Sequence, residues 1–331
     1  MNECLRQLVE TFGPSGHEHR VRALIADLVG GHVDELRTDA MGNLVALKRG
    51  DGTGQRLMLA AHMDEIGLMA SYIDEKGFVR VQPIGGVSPW LEVGGRVQFQ
   101  NGSLGVVSHD KLGHGEAVPP MEKLFIDVGA ASRQDCPVGL GDVACFVQPM
   151  VQVGGLLTAK AMDDRVGCAV LIETLRRLAA TPHDCYVVFS AQEEVGTRGA
   201  VTAAYGVAPD VGLAVDVTLA GDVPEPAVRM ATALGAGPAI KVKDGGMIAT
   251  PWVKDWMIDV AQAEGLPWQL EVLPGGTTDA RAIQTSRDGV PAGCLSIPCR
   301  YVHSPSETVS PADLGHAVDL LVAMLRRPLP R

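Results

Sequence analysis

Two adjacent glutamates, Glu193 and Glu194, directly follow a largely apolar run at positions 185–192. Carboxylates at the end of a buried strand are costly in free energy unless a positive charge faces them. Neighbouring residues on an extended chain also point in different directions. One carboxylate could therefore bind a metal ion while the other moves a proton. Judged alone, the same pair is more often a solvated loop.

A histidine and an aspartate two positions apart, His62 and Asp64, follow the apolar segment 56–61. If the strand continues through them, both side chains lie on one face. Asp64 could then hold the ring nitrogen of His62 that does not face a metal, which fixes the tautomer of the ring. The structural alternative is a turn with a polar histidine and a capping aspartate.

Asp163 and Asp164 open a segment with helical periodicity. An acid at that place is the ordinary N-cap, because it satisfies exposed backbone N–H groups and favours the helix dipole. A carboxylate held in this way can also bridge two cations. Arg165 could then neutralise or orient the second acid.

Asp216 follows the strand predicted at 211–215, and His303 follows the strand predicted at 294–297. Taken singly, the aspartate is an ordinary turn residue and the histidine an ordinary core or surface residue. Their joint placement with the residues above changes this interpretation, because the carboxyl ends of strands in an open α/β sheet line one crevice. Two histidines and several carboxylates at one crevice suit zinc, cobalt or manganese.

The predicted secondary-structure elements that position these residues differ between two parts of the chain. Strands and amphipathic helices alternate over 1–66 and 155–331, including a helix predicted from Asp164 to Ala180. From about 67 to 154, short β runs are broken every few residues by Gly, Pro or Asp, which is typical of a small β-rich domain. The sequence therefore predicts an α/β domain split by an inserted β-rich domain. His109 and His114, in a glycine-rich loop of the insertion, are assigned no ligand role.

Composition and charge exclude several classes of protein. The chain has 331 residues, 46% of them hydrophobic, and a formal net charge of -11. This charge argues against a nucleic-acid partner, which needs a basic surface. No apolar run approaches the roughly 20 residues that span a bilayer, so no membrane partner is expected. Seven cysteines form no CxxC pair, and the start of the chain is polar, so we expect reduced thiols in a cytoplasmic protein.

Seven short motifs together resemble the M42 family of metallo-aminopeptidases, which includes the glutamyl and the tetrahedral aminopeptidases. They occur in family order across nearly the whole chain, and their combination is specific although no single one is. The motifs are TFGPSGHE (11–18), AHMDEIG (61–67), LFIDVGA (124–130), KAMDDRVG (160–167), QEEVGTRGA (192–200), DVT (216–218) and RYVHSP (300–305).

The resemblance implies a mixed-sheet α/β metallopeptidase domain and two divalent metal ions per subunit: zinc, cobalt or manganese. Asp163 would bridge the two ions. His62 and Asp216 would complete one site, and Glu194 and His303 the other.

The resemblance also implies two catalytic roles and an assembly. Glu193 would be the general base, and Asp64 would orient His62. The peptide bond between Asp163 and Asp164 is expected to be cis. Peptides would be the substrates, and the inserted domain would join dimers that assemble into a homo-oligomeric dodecamer.

Three other functions stay open from the sequence. An M20-like carboxypeptidase or deacylase shares the H-x-D and Glu-Glu pattern. A glycosidase would use two carboxylates, but adjacent Glu193 and Glu194 diverge in direction, which fits poorly. A metal-stabilised binding or scaffold protein would not need candidates for every ligand and for the base.

Overall fold

The computed structural model of the protein describes residues 1–113, 115 and 117–330, so His114 lies outside the described residues. Within those limits no helix has the length and apolar character needed to cross a membrane. All seven cysteines are unpaired, and only Cys136 among them is not buried. This agrees with the interpretation of the cysteines as reduced thiols.

The described residues form seventeen strands, eight α-helices and a 3-10 turn at Met121–Lys123. The helices are α1 (Asn2–Glu10), α2 (His19–Val29), α3 (Pro89–Glu92), α4 (Met162–Arg177), α5 (Arg198–Val207), α6 (Pro251–Ala263), α7 (Asp279–Gln284) and α8 (Pro311–Leu325). The strands are β1 (Glu35–Thr38), β2 (Leu44–Lys48), β3 (Arg56–His62), β4 (Gly67–Ile73), β5 (Val79–Ile84), β6 (Arg96–Phe99), β7 (Leu104–His109), β8 (Leu124–Asp127), β9 (Val143–Phe146), β10 (Val151–Val153), β11 (Leu156–Ala159), β12 (Asp184–Ser190), β13 (Val211–Leu219), β14 (Ala239–Lys243), β15 (Gln269–Val272), β16 (Ala292–Arg300) and β17 (Glu307–Val309).

An 11-stranded mixed sheet forms the larger part of the molecule. Its centre is the run β12-β3-β13-β16, in which all neighbours are parallel. The strands on either side of this centre pair with it antiparallel. The four parallel strands are almost entirely buried, as expected for strands covered on both faces. Their carboxyl ends therefore meet at one edge of the sheet.

Asp216 lies within a strand and not at its end. The strand predicted at 211–215 continues to Leu219, because β13 remains paired with β16 as far as the partners Leu219 and Cys299. The aspartate consequently has the fixed direction of a strand residue and not the freedom of a turn residue.

The smaller part of the molecule is a closed antiparallel barrel of the six strands β4-β5-β8-β7-β6-β9. Pairing of β4 with β9 closes it. It has its own apolar core, including Leu68, Val81, Phe99 and Ile126. The predicted fold class, a mixed-sheet α/β fold with a small β-rich insertion, is thereby confirmed. The barrel strands run from Gly67 to Phe146, and the exact boundary after residue 154 stays a prediction.

Helix α4 fixes the position of the Asp163–Asp164 pair. Its buried residues Val170 and Leu175 belong to the main core, and the helix packs on β3 and β13. The helix begins at Met162, earlier than predicted, but Asp163 and Asp164 have non-helical backbone angles. The peptide bond between them is cis, as the resemblance implied. Both carboxylates therefore sit at the start of a rigid, buried helix.

Candidate metal centre

Asp163 lies at the centre of the site, between two histidines. Oδ1 of Asp163 is 2.9 Å from Nε2 of His62, and Oδ2 of Asp163 is 3.4 Å from Nε2 of His303. The same nitrogen of His303 is 3.2 Å from Oε2 of Glu194. One carboxylate thus faces two different histidines with its two oxygens, which is the arrangement that a ligand shared by two cations requires.

Two overlapping sets of residues could each hold a metal ion. Within each set, the donor atoms lie within 4.8 Å of one another. One set is His62, Asp163 and Glu194; the other is His62, Asp164 and Asp216. Asp164 is a finding beyond the expected ligands: its Oδ2 is buried and has no hydrogen-bond partner among the described residues. Asp164 therefore adds a further carboxylate beside the metal ligands that the sequence predicted.

Asp64 contacts both His62 and the backbone of the Glu193–Glu194 pair. Oδ1 of Asp64 is 3.5 Å from Nδ1 of His62, and the Asp64 carbonyl is 3.2 Å from the same nitrogen. The Asp64 carboxylate also accepts hydrogen bonds from the backbone N–H groups of Glu193 and Glu194, at 3.0 and 3.2 Å. Ser15 donates a further hydrogen bond of 2.6 Å. Because Asp64 faces Nδ1 of His62, the Nε2 atom of this ring points toward the cluster. The hydrogen bonds to Asp64 also fix the backbone positions of Glu193 and Glu194.

Arg165 does not perform the role suggested by its place in the sequence. Its guanidinium is fully buried, lies 3.5 Å from Oε1 of Glu65 and donates to the carbonyls of Thr11 and Gly13. Lys160 donates to the other oxygen of Glu65 at 2.6 Å. The interpretation that Arg165 orients Asp164 was wrong, because the helix directs the arginine toward the segment after α1. This network of buried charges joins α4 to the segments that follow α1 and β3.

The close carboxylates strongly perturb the titration of the site. Burial raises the pKa of Asp216, and repulsion from Asp163 adds to the increase. Burial also raises the pKa of Glu193 and of Glu194. For His62, burial lowers the pKa, but the Asp163 and Asp64 carboxylates outweigh it and raise the pKa well above 6.5. A cluster with this much unbalanced negative charge is one that divalent cations would stabilise.

The backbone beside the site adopts left-handed conformations at residues other than glycine. The φ angles are 57° at Gln192, 61° at Tyr301 and 61° at His303. Such conformations are uncommon for residues with a side chain, and they concentrate at functional sites. Here they turn the chain sharply after β12 and after β16, so that Glu193 and His303 face the same cavity.

The barrel contributes a wall to the site through Gly85 and Gly86. A Cβ atom at Gly86 would lie 2.4 Å from Nδ1 of His303, and one at Gly85 would lie 3.1 Å from Cβ of Glu194. Only residues without side chains allow this close approach. The segment after β5 therefore packs directly against two predicted metal ligands.

Glu307 is a functional residue that the sequence reasoning missed. Its Oε2 accepts a hydrogen bond of 2.9 Å from the backbone N–H of Asp163, and its Oε1 accepts one of 2.8 Å from that of His303. The side chain is buried. A single carboxylate thus holds two predicted ligands from distant parts of the chain. The signal in the sequence was an acid directly before two β-branched residues, Thr308 and Val309, a few positions after His303.

Replacing Glu307 with alanine should weaken metal binding about 10- to 100-fold, the usual effect of removing a group that orients metal ligands. Both backbone N–H groups would lose their acceptor. Calorimetric titration of metal-free protein measures the affinity directly. Glu122→Ala, an exposed change in the barrel, serves as the matched control. Wild-type affinity in Glu307→Ala would show that the two ligands hold their positions without this carboxylate.

Comparison with known proteins identifies the family. The profile described as M42 glutamyl aminopeptidase matches residues 42–320. The chain belongs to the M42 family. This membership agrees with the motif-based resemblance and makes the protein a peptide hydrolase of the aminopeptidase type, not an M20-like enzyme.

Individual M42 relatives match over nearly their full length. The lysyl aminopeptidase of Pyrococcus furiosus is 34% identical over 99% of this chain and 97% of its own. Aminopeptidase APDkam598 from the archaeon Desulfurococcus kamchatkensis has 42% identity and a TM-score of 0.93, covering 98% of this chain and 94% of its own. The TET1 peptidase of Pyrococcus horikoshii, which can assemble into a tetrahedron or a large octahedral shell, has 31% identity and a TM-score of 0.86, covering 98% of each chain.

The structure of this M42 protein gathers all the residues predicted for the site. The cavity at the carboxyl edge of the sheet is lined by His62, Asp163, Glu193, Glu194, Asp216 and His303. Asp64 lies behind His62, where it is fully buried. The roles of the individual residues, as metal ligands or as general base, stay predictions.

Proposed function

We propose that this M42 protein is an aminopeptidase that uses two divalent metal ions per subunit to hydrolyse the first peptide bond of peptides. The observation that carries the proposal is the placement of Asp163, whose two oxygens face His62 and His303 separately. The ligands would be His62 and Asp216 for one ion and Glu194 and His303 for the other, with Asp163 shared.

The residues present fit two divalent ions. The donor atoms are imidazole nitrogens and carboxylate oxygens, a set suited to zinc, cobalt or manganese. Asp163, Glu194 and Asp216 would balance most of the charge of two ions. Burial raises the pKa of Asp216, and repulsion from the Asp163 carboxylate adds to the increase, so a cation beside these groups would offset an electrostatic cost. The unpartnered Oδ2 of Asp164 is a further buried acceptor beside the same ions.

Bound divalent ions would supply Lewis-acid polarisation of the scissile carbonyl and increased acidity of water. Glu193 would take a proton from the attacking water and return it to the leaving amine. Three features of the chain support this role. Glu193 lines the cavity, its carboxylate is absent from both close donor sets, and burial raises its pKa. The hydrogen bond from its backbone to Asp64 fixes its position relative to His62.

Hydrolysis of aminoacyl p-nitroanilides and of their N-acetylated counterparts tests the proposal. Each substrate would be measured with chelator-stripped protein and after the addition of cobalt, zinc or manganese. We expect metal-restored cleavage of free amines only, because the proposed enzyme acts on a free N-terminus. Equal cleavage of acetylated substrates would indicate a deacylase. Failure to cleave any free amine after metal binding has been verified would contradict the proposed activity.

We further propose that the protein forms a homo-oligomer in which dimers build a dodecamer through the barrel. The barrel exposes large apolar side chains, among them Trp90 at 60%, Leu104 at 57% and Leu140 at 72%. A tetrahedral relative supports twelve subunits, because a tetrahedron has six edges and each could hold one dimer. Light scattering should then give a mass near twelve chains of 34.9 kDa. A monomeric mass would contradict the assembly without affecting the proposed chemistry.

A further inference from the structure

The metal cluster occupies only one part of a larger cavity. The cavity has a volume of about 490 Å³, which is within the usual range for small-molecule sites. Its wall beyond the cluster is largely apolar and comes from the end of β13 and from the segment between β15 and α7. The apolar lining residues are Val217, Leu219, Val228, Leu273, Pro274 and Val302. This space can hold a substrate side chain and part of the adjoining peptide.

The charged residues that line the cavity outside the metal cluster are two cations, Lys241 and Arg281, within the described chain. The charge of Lys241 is engaged inside the protein. Its Nζ donates to Oε1 of Glu271 at 2.6 Å and lies 3.6 Å from Oδ2 of Asp244. Thr218 donates to the same oxygen of Glu271 at 2.7 Å. Lys241 therefore stabilises two buried carboxylates, and its charge is not available to a ligand.

Arg281 differs from Lys241 both in its exposure to solvent and in its hydrogen bonds and ion pairs. It is exposed, and its side chain makes no hydrogen bond or ion pair with the residues that the structure describes. Gly246 makes room for its stem, because a Cβ atom at that position would lie 2.6 Å from Cδ of Arg281. A free guanidinium with a planar fork of donors matches a carboxylate in shape and charge. Among the described residues of the cavity wall, Arg281 is therefore the cation that is available to bind a charged group of a substrate.

We propose that Arg281 is a specificity-determining residue that binds a carboxylate of the peptide substrate. The inference rests on the proposed aminopeptidase function, and it names the substrate class within that function. The carboxylate can come from an acidic N-terminal side chain or from the C-terminus of a very short peptide. Both sources present the same group, and isosteric substrate pairs distinguish them.

The test compares the metal-loaded wild-type protein with Arg281→Met, which keeps the apolar stem and removes the charge. One pair is Glu-p-nitroanilide and Gln-p-nitroanilide, which differ only in the side-chain carboxylate. The other pair is Leu-Gly and Leu-glycinamide, which differ only in the C-terminal carboxylate. The matched control is Arg37→Met, an exposed arginine on β1 that does not line the cavity. Arg281→Lys tests whether a point charge replaces the fork.

For wild type and Arg37→Met, we expect kcat/KM to favour the carboxylate member of one pair by roughly 10- to 100-fold, the value of a charge-assisted hydrogen bond. Arg281→Met should remove most of this preference, and Arg281→Lys should keep part of it. The affected pair identifies the source of the carboxylate. Equal ratios in wild type and Arg281→Met for both pairs would overturn the inference. Failure of the metal-loaded wild-type protein to cleave any of these free-amine substrates would instead contradict the proposed function.

Discussion

Replacing Glu193 with glutamine should lower kcat by about 10²- to 10⁴-fold, the range that general acid–base catalysis contributes. Glutamine has the same shape but cannot accept and return a proton. The backbone N–H of residue 193, and not its side chain, donates the hydrogen bond to the Asp64 carboxylate. This contact and the local structure should therefore persist. Steady-state kinetics with a free-amine p-nitroanilide and metal analysis of the same preparation measure both effects.

The informative result for Glu193→Gln is loss of activity together with unchanged metal content. Glu193 is not one of the five proposed ligands, so both ions should remain bound. Glu122→Gln, an exposed change on the barrel, provides the control for general effects of the substitution. Near-normal kcat in Glu193→Gln would show that another group moves the proton. Loss of a metal ion would show that Glu193 is itself a ligand.

Replacing Asp163 with asparagine should remove binding of at least one metal ion and reduce activity to below about 1% of wild type. The asparagine side chain has only one acceptor oxygen, whereas Asp163 directs one oxygen toward His62 and the other toward His303. The change also removes a negative charge from the centre of the site. Loss of a ligand should exceed the roughly 10- to 100-fold effect of losing an orienting group.

Equilibrium dialysis followed by metal analysis gives the number of ions that Asp163→Asn retains at each metal concentration. Asp259→Asn, an exposed change on α6, is the matched control and should bind as wild type does. Two ions bound by Asp163→Asn with wild-type affinity would exclude a bridging role for Asp163. Retention of one ion would show that one half of the site binds metal without the shared carboxylate.

Hydrophobic pattern was sufficient to locate the strands that carry the chemistry. The apolar runs before His62 and Glu193 correspond to β3 and β12, which the structure places side by side and parallel. These strands are buried on both faces, so their sequences are continuous apolar runs that are easily recognised. Shorter elements were missed, among them β14, β15 and α7, because four to six residues do not establish a period.

Residue type and order along the chain determined the fold class and the candidate ligands, since a parallel sheet brings the carboxyl ends of its strands to one edge whatever the loops do. Only the tertiary structure showed which contacts from distant parts of the chain hold those ligands. Glu307 reaches the backbone of Asp163 across 144 positions of sequence, and Asp64 reaches Glu193 across 129. The pairing of Arg165 with Glu65, and the lack of a partner for Arg281 among the described residues, likewise depend on how helices and loops pack. Such contacts join segments that are close only after folding, so no local pattern in the sequence records them.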